Sequence, residues 1–353
     1  MITPIRLLTC SLAGALSALP FACAAAEPMS PACASSQQRV DEAGFVRING
    51  IEQWVTMRGD RCDNPVILIA SGGPGNPLSV YANGPYVPWE KDFTIVHWDQ
   101  RGAGMSYGRN KPAEEEKLSV EGLRDDGLAV ARHVAARLGK RKLILKGSSW
   151  GSVLGVTMAK AQPGLFCAYL GTAQMVAQRE HVDGHGKLIA LARAAGDMET
   201  AARIEALGPP PWTNPRSFGI ERRATRKYEA MSTDPIPKAW HELGARYATA
   251  QAQADYTAGE DYSFLQFVGM NNDGMYSQLD LYKLGTDFQL PVYMVQGAQD
   301  LVTTPEVSGR YFNAIQAPVK KFVLVPRAGH DPNVPLVEAE AKLLREEIRP
   351  RCM

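Results

Sequence analysis

The pentapeptide at residues 147–151 reads GSSWG, in which a central serine has a glycine two positions to either side. An apolar stretch at residues 143–145 precedes it, and apolar residues at helical spacing follow it as far as the Pro-Gly pair at residues 163–164. A serine in a Gly-x-Ser-x-Gly motif between a strand and a helix is held on a sharp turn, with its hydroxyl exposed above a sheet. The pattern predicts that Ser149 is a nucleophile; the alternative is a glycine-rich loop without a chemical role.

A hydroxyl becomes a good nucleophile when a neighbouring base takes its proton. His330 is our candidate for that base, because it follows an apolar strand pattern at residues 321–325 and so belongs to a loop above the edge of a sheet. The other histidines that follow Ser149 lie in a segment without strand patterning: His181, His185 and His241.

The acid that orients the base is expected to be Asp300, which ends the sequence GAQD after a predicted strand at residues 291–296. An aspartate there can accept a hydrogen bond from the imidazole, fix its tautomer and stabilise the imidazolium. Asp287 precedes this strand and therefore lies at the wrong end of it. Asp331 is adjacent to His330 and could hardly face its ring.

An oxyanion hole needs backbone N–H groups near the nucleophile. The sequence SGGPG at residues 71–75 follows a predicted strand at residues 66–70, and glycines allow the backbone to approach a substrate oxygen closely. We expect the N–H groups of Gly73 and Trp150 to be the donors. The alternative for residues 71–75 is a tight turn without a chemical role.

Strand patterns alternate with helical patterns along most of the chain, which predicts a parallel α/β sheet. Residues 45–49 and 53–57 are predicted strands around an Asn-Gly turn, and residues 173–285 are predicted to form several short helices. The expected divisions are a signal peptide at residues 1–26, a leader at residues 27–44, a first core part at residues 45–172, a helical cap at residues 173–285 and a second core part at residues 286–353.

The N-terminus has the pattern of a secretory signal: Arg6, an apolar stretch at residues 7–19 and three alanines at residues 24–26. This predicts cleavage before Glu27, export to the periplasm or beyond the cell, and no stable membrane insertion; lipidation of Cys23 is an alternative. Four cysteines remain after cleavage, and they allow three pairings. We favour Cys33–Cys62, which brackets the predicted hairpin, with Cys167–Cys352.

The formal net charge of +1 and the absence of a basic cluster give no indication of a nucleic-acid partner. No cysteine has metal-ligand spacing, and we expect neither a metal nor a cofactor. His181 and His185 could share one face of a helix as metal ligands, but Gly184 weakens a helix there and no third ligand is indicated. A solvated cap loop is therefore expected at this position. The sequence does not indicate an oligomeric state.

Five motifs together resemble the proline iminopeptidase branch of the α/β-hydrolases: SGGPG (71–75), DQRGAGMS (99–106), GSSWGS (147–152), GAQD (297–300) and AGHDP (328–332). The resemblance implies an α/β-hydrolase fold, in which a mostly parallel twisted sheet is flanked by helices and a helical cap is inserted after the sixth core strand. It also implies that residues 99–106 form a buried turn at the floor of the site, with Arg101 as a structural hydrogen-bond donor.

This chain departs from the family pattern in three places. Ser71 replaces the usual histidine of the oxyanion loop, Ser148 replaces a glycine, and the cap lacks the family's Trp-Ser-x-Trp-Glu stretch, whose glutamate anchors the substrate's α-amino group. Candidate anchors are Glu180, Asp183 and Glu205, and Glu180 is our candidate for substrate binding.

The expected function is a secreted serine hydrolase that cleaves an amide or ester of a small molecule or short peptide. An aminopeptidase and an esterase or amidase are both compatible with these residues. A non-catalytic binding protein on the same fold is the remaining alternative.

Overall fold

The computed structural model describes residues 33–113 and 115–353. The strands of the sheet are β1 (Val40–Ile48), β2 (Ile51–Gly59), β3 (Val66–Ala70), β4 (Thr94–Trp98), β5 (Leu143–Ser148), β6 (Phe166–Thr172), β7 (Val292–Gly297) and β8 (Lys320–Val325). Their order across the sheet is β1-β2-β4-β3-β5-β6-β7-β8. β2 pairs antiparallel with β1 and β4, whereas all other neighbouring strands are parallel.

The α-helices are α1 (Gly104–Arg109), α2 (Val120–Arg137), α3 (Trp150–Ala161), α4 (His181–Ala194), α5 (Met198–Glu205), α6 (Pro215–Ala230), α7 (Ala250–Val268), α8 (Pro305–Ala314) and α9 (Val334–Leu343), the last continued by a π-helical turn at Leu344–Ile348. Helices α4 to α7 lie between β6 and β7, and we call this segment the cap. The predicted fold class is therefore confirmed: a mostly parallel sheet flanked by helices, with a helical insertion after the sixth strand.

The central strands are apolar along their whole length because both faces of the sheet are covered. In β3, Leu68 packs into the core on one face, while Ile67 and Ile69 pack into the core on the other. Side chains at the ends of helices satisfy free backbone N–H groups. The Ser119 hydroxyl accepts from the Gly122 amide at the start of α2, and the side-chain oxygen Oδ1 of Asn333 accepts from the Leu336 amide at the start of α9.

Two predictions about local structure were wrong. β1 begins at Val40, so residues 40–44 belong to the sheet and not to a leader. The cap helices are longer than expected, with 16 residues in α6 and 19 in α7, because buried faces stabilise helices that propensity alone would leave short. The proline clusters that suggested breaks do fall between helices, at residues 209–211 and 235–237.

Both favoured disulfides are confirmed. Cys33 pairs with Cys62 and Cys167 pairs with Cys352, with Cα–Cα distances of 5.9 Å and 5.5 Å. The predicted signal peptide and Cys23 lie outside the described residues. Among the helices of residues 33–113 and 115–353, none is both long enough and apolar enough to cross a bilayer.

Candidate active site

The predicted nucleophile occupies a tight turn between strand and helix. Ser149 lies between β5 and α3 with φ 54° and ψ −124°, a left-handed backbone conformation that non-glycine residues rarely adopt. The turn requires glycines around it, because a Cβ on Gly151 would collide with the carbonyl oxygen of Ala70. The Ser149 amide donates to the carbonyl oxygen of Thr172 at 3.1 Å, which fixes the turn against β6.

The structure brings the predicted base and acid to this serine. His330 Nε2 lies 2.9 Å from Ser149 Oγ, and His330 Nδ1 lies 3.1 Å from both carboxylate oxygens of Asp300. The three side chains come from loops that directly follow β5, β7 and β8, and they meet because the carboxyl ends of parallel strands share one edge of the sheet. The arrangement is a continuous hydrogen-bonded row from hydroxyl to imidazole to carboxylate.

Asp300 is held by a set of donors that the sequence analysis did not identify. The amides of Val302 and Thr303 donate to Oδ1 at 2.8 and 2.9 Å, and the Thr303 hydroxyl and Gln296 amide group donate to Oδ2 at 2.8 and 2.9 Å. These contacts fix the orientation of a carboxylate that is 1% exposed.

Asp300 and His330 each shift the pKa of the other. Burial disfavours the charged form of Asp300, but the adjacent imidazole, its hydrogen bond and the Thr303 contacts together hold the pKa of Asp300 below its ordinary value. Burial also disfavours protonated His330, but the charge and hydrogen bond of Asp300 outweigh it and raise the pKa of His330 above its ordinary value. The carboxylate therefore remains ionised and makes the imidazole a stronger base.

The loop that carries Gly73 lies next to the nucleophile, since a Cβ on Gly72 would lie 3.4 Å from Ser149 Cβ. Gly73 lines the same cavity as Ser149 and His330, and Trp150 is the next residue in the chain. Gly73 has φ +108°, and a Cβ there would lie 2.9 Å from the Asn76 amide nitrogen, so the loop requires glycine at this position.

The buried turn at residues 99–106 connects these parts. The Gln100 side chain donates to the carbonyl oxygen of Ser71 at 3.0 Å and accepts from the Trp150 indole at 3.1 Å. Arg101 donates to Asp126 at 2.9 Å and to the carbonyl oxygen of Asn49 at 3.1 Å, which confirms its predicted structural contacts. Gln100 thus ties the glycine loop to the start of α3.

A cavity of about 1110 Å³ lies between the core loops and the cap. Its cap side carries three carboxylates that are each largely or fully buried: Glu180, Glu221 and Glu229. Its apolar part includes a group of aromatic side chains, Phe218, Phe264, Phe267 and Tyr276. The cavity is therefore large enough for a short peptide and offers both acidic and apolar contacts.

The predicted binding residue Glu180 differs from the other two carboxylates in its partners. Its Oε1 lies 3.5 Å from the Arg310 guanidinium, and its Oε2 is buried without a hydrogen-bond partner among the described residues. Burial raises the pKa of Glu180 above its ordinary value. Of the other candidates, Asp183 is paired with Arg310 at 2.7 Å and Glu205 with Arg193 at 2.6 Å, and neither lines the cavity.

The prediction of a solvated loop around His181 and His185 was wrong, because both residues lie in helix α4 and His185 is 5% exposed. Gly184 is tolerated here because its helix packs directly on the carbonyl oxygen of Leu301, where a side chain would collide. Both histidines contact Glu221: His181 Nε2 lies 2.6 Å from Oε2, and His185 Nδ1 lies 2.9 Å from Oε1. Within the described residues no group of three or more His, Cys, Asp or Glu side chains has the geometry of a metal site.

Glu229 was not identified from the sequence. It extends from α6 to the core loops, where its Oε1 accepts from the Leu301 amide at 2.9 Å and its Oε2 accepts from the His330 amide at 3.3 Å. Burial and the nearby charge of Asp300 raise its pKa above the ordinary value. The glycine before His330 is explained by this contact, since a Cβ on Gly329 would lie 2.8 Å from Glu229 Oε2.

Comparison with known proteins agrees with this architecture. The sequence model of the serine aminopeptidase S33 family matches residues 89–333, which is well over half of the chain. The chain belongs to the serine aminopeptidase S33 family. The resemblance predicted from the five motifs is thereby confirmed, and the protein is a hydrolase of this family.

Among its relatives is a probable aminopeptidase, YbaC, of Bacillus subtilis (strain 168), which is 26% identical over 293 residues, covering 81% of this chain and 90% of the relative. A probable proline iminopeptidase of Streptomyces coelicolor is 26% identical over 291 residues, covering 77% of this chain and 85% of the relative. The crystal structure of a proline iminopeptidase from Mycobacterium smegmatis is similar in fold, with a TM-score of 0.59 and 20% identity. The match covers 88% of this chain and 95% of the crystallised chain.

Proposed function

We propose that this protein is an exported serine aminopeptidase of the proline iminopeptidase type, with Ser149, His330 and Asp300 as its catalytic residues. The observation that carries the proposal is the hydrogen-bonded row of these three side chains, of which Ser149 and His330 line the cavity. A serine hydroxyl, an imidazole and an ionised carboxylate in this geometry are the components of acyl transfer.

In the proposed mechanism, Ser149 Oγ attacks the substrate carbonyl carbon while His330 Nε2 takes the hydroxyl proton. The N–H groups of Gly73 and Trp150 stabilise the oxyanion of the tetrahedral intermediate. His330 then gives the proton to the leaving nitrogen, the scissile bond breaks, and an acyl-enzyme remains on Ser149. Water attacks this ester with His330 again as base, and Oγ leaves with the proton that restores the free enzyme.

An aminopeptidase must also recognise a positively charged α-amino group. Glu180 is the best-supported anchor, because both oxygens of Glu221 contact histidines and both oxygens of Glu229 accept backbone N–H groups. A buried carboxylate oxygen without a partner costs free energy, and a substrate ammonium group that reached it would remove that cost. The names of the relatives, probable aminopeptidase and probable proline iminopeptidase, support the same substrate class.

A second candidate is an esterase or amidase for a small acyl compound. It is favoured by the aromatic side of the cavity, where Phe218 packs at 5.1 Å from Trp212 and 6.3 Å from Tyr276 between ring centres. Such a surface accommodates an apolar acyl group without requiring a charge. The absence of the Trp-Ser-x-Trp-Glu stretch from the sequence also favours this candidate.

We propose export from the cytoplasm on the basis of the N-terminal sequence pattern. The two disulfides support it, because disulfides persist in oxidising compartments.

The experiment that tests the function uses protein spanning residues 27–353 with two fluorogenic panels. One panel contains aminoacyl amides, including the prolyl amide, each with a free and a blocked amine; the other contains short acyl esters. Turnover restricted to free amines supports the aminopeptidase, and turnover of esters regardless of a free amine supports the second candidate. No turnover in either panel, with no reaction of Ser149 toward a fluorophosphonate, would contradict both.

A further inference from the structure

A fully buried ion pair lies directly behind the turn that carries Ser149. Lys146 belongs to β5, three residues before Ser149, and is 0% exposed; its partner Glu340 belongs to α9 and is also 0% exposed. Lys146 Nζ donates to Glu340 Oε1 at 2.7 Å. The mechanism proposed above makes no use of either charge.

The pair is connected to the nucleophile through one residue. Lys146 Nζ also donates to the hydroxyl of Thr172 at 3.2 Å, and that hydroxyl donates to Glu340 Oε1. The carbonyl oxygen of the same Thr172 accepts the Ser149 amide hydrogen bond at 3.1 Å. Thr172 therefore contacts the charge pair with its side chain and the nucleophile with its backbone.

The pair also joins separate parts of the site. Helix α9 follows the loop of His330, so the contact of Glu340 with Lys146 connects the histidine segment to the nucleophile strand. On the cavity side, Lys146 Nζ lies 5.0 Å from the ring centre of Tyr86, which lines the cavity. The charges thus link the strand that precedes Ser149 with the helix that follows His330, next to a residue that lines the cavity.

A gain in stability is a poor explanation for such a pair. Removing two charges from water carries a large desolvation cost, and buried ion pairs can often be replaced by apolar residues of similar size without loss of stability. Glu340 Oε2, moreover, has no hydrogen-bond partner among the described residues. A contribution to geometry is the remaining physical role, because charge-assisted hydrogen bonds are short and directional.

We infer that Lys146, Glu340 and Thr172 are positioning residues that hold the Ser149 turn at the distance from His330 required for proton transfer. The inference rests on the proposed function of Ser149. A small misplacement of a reacting group can lower a rate by one to two orders of magnitude. Loss of the cluster should therefore lower the reactivity of Ser149 more than it changes folding or substrate binding.

The first test compares Thr172→Val, which replaces the hydroxyl with a methyl group of similar size, with Thr172→Ser, which retains the hydroxyl and loses the methyl group. Rates are measured for fluorophosphonate labelling of Ser149 and for substrate turnover. We expect Thr172→Val to lower the labelling rate and kcat roughly tenfold, with KM unchanged within about twofold. Thr172→Ser should keep most of the wild-type labelling rate and kcat. Thr94→Val is the control, since Thr94 is a buried β4 threonine whose hydroxyl has no hydrogen-bond partner among the described residues.

A second variant replaces the pair as a unit, Lys146→Met with Glu340→Leu. We expect it to fold with a Tm close to that of the wild type but to label roughly tenfold to a hundredfold more slowly. If Ser149 in the Thr172→Val variant were labelled at the wild-type rate, the inference would be overturned, whether or not the paired variant folds. An unreactive wild-type protein would instead overturn the proposed function, so the two failures are distinguishable.

Discussion

The two walls of the cavity are built in different ways. On the core wall, Ser149 and His330 lie on short loops after parallel strands, and backbone geometry and hydrogen bonds fix their positions. On the cap wall, Glu180 and Glu221 lie on or beside helices, and their partners are the charged or polar side chains of Arg310, His181 and His185. Under the proposed function, the core wall performs the chemistry, while the cap wall selects the substrate that reaches it.

The strongest test of this division removes the nucleophile. Ser149→Ala should lower kcat by about 10⁶, because members of a triad act as one unit. Ser148→Ala is the matched control in the same turn and should retain most of the activity. Steady-state turnover of the best substrate measures both, and equal losses in the two variants would contradict the assignment.

The orienting acid provides the next largest expected effect. Asp300→Asn should preserve the shape of the site but favour the wrong imidazole tautomer, with a loss of about 10⁴ in kcat. Asp331→Asn is the control, since Asp331 binds Arg222 at 2.8 Å and is adjacent to His330 in the chain. The account would be wrong if the Asp331 variant lost as much kcat as the Asp300 variant.

The cap wall should affect selection more than chemistry. Glu180→Gln removes a charge-assisted contact, so KM for free-amine substrates should rise roughly tenfold to a hundredfold, while the rate of fluorophosphonate labelling of Ser149 should not change. Glu205→Gln is the control, because Glu205 is paired with Arg193 outside the cavity. A loss in the labelling rate of Ser149 as large as the loss in kcat/KM for free-amine substrates would place Glu180 in the chemistry instead.

The smallest effect is a shift in pH dependence. His330 must be neutral to accept the serine proton, and its raised pKa keeps it protonated to a higher pH. The rate of fluorophosphonate labelling should therefore fall as the pH is lowered, with a midpoint above the ordinary histidine value of 6.5. A midpoint at or below that value would show that Asp300 does not stabilise the imidazolium.

Local sequence patterns were sufficient to predict which three side chains form the hydrogen-bonded row of the core wall. Ser149, Asp300 and His330 each follow a strand pattern, and the Asn-Gly turn has positive φ at both residues, at 42° and 90°. Turn geometry depends on a few neighbouring residue types, so it can be read from short motifs.

Neither the cap wall nor the Lys146–Glu340 pair of the core could be predicted in this way. The contact of Glu229 with the His330 amide joins residues 101 positions apart, and the Lys146–Glu340 pair joins residues 194 apart. Helical periodicity identifies a buried face but not the partner that covers it. The histidines of α4 show the consequence: the sequence suggested a solvated loop, whereas contacts with Glu221 and packing against Leu301 place them on the side of a helix that faces the protein.

The most direct test of the central claim is covalent trapping. Protein spanning residues 27–353 is treated with a fluorophosphonate, and the modified peptide is identified by mass spectrometry. The account predicts a single adduct on Ser149, absent from the Ser149→Ala variant and formed much more slowly in Asp300→Asn. An adduct on another residue, or equal labelling of the Ser149→Ala variant, would contradict the assignment of Ser149 as the nucleophile.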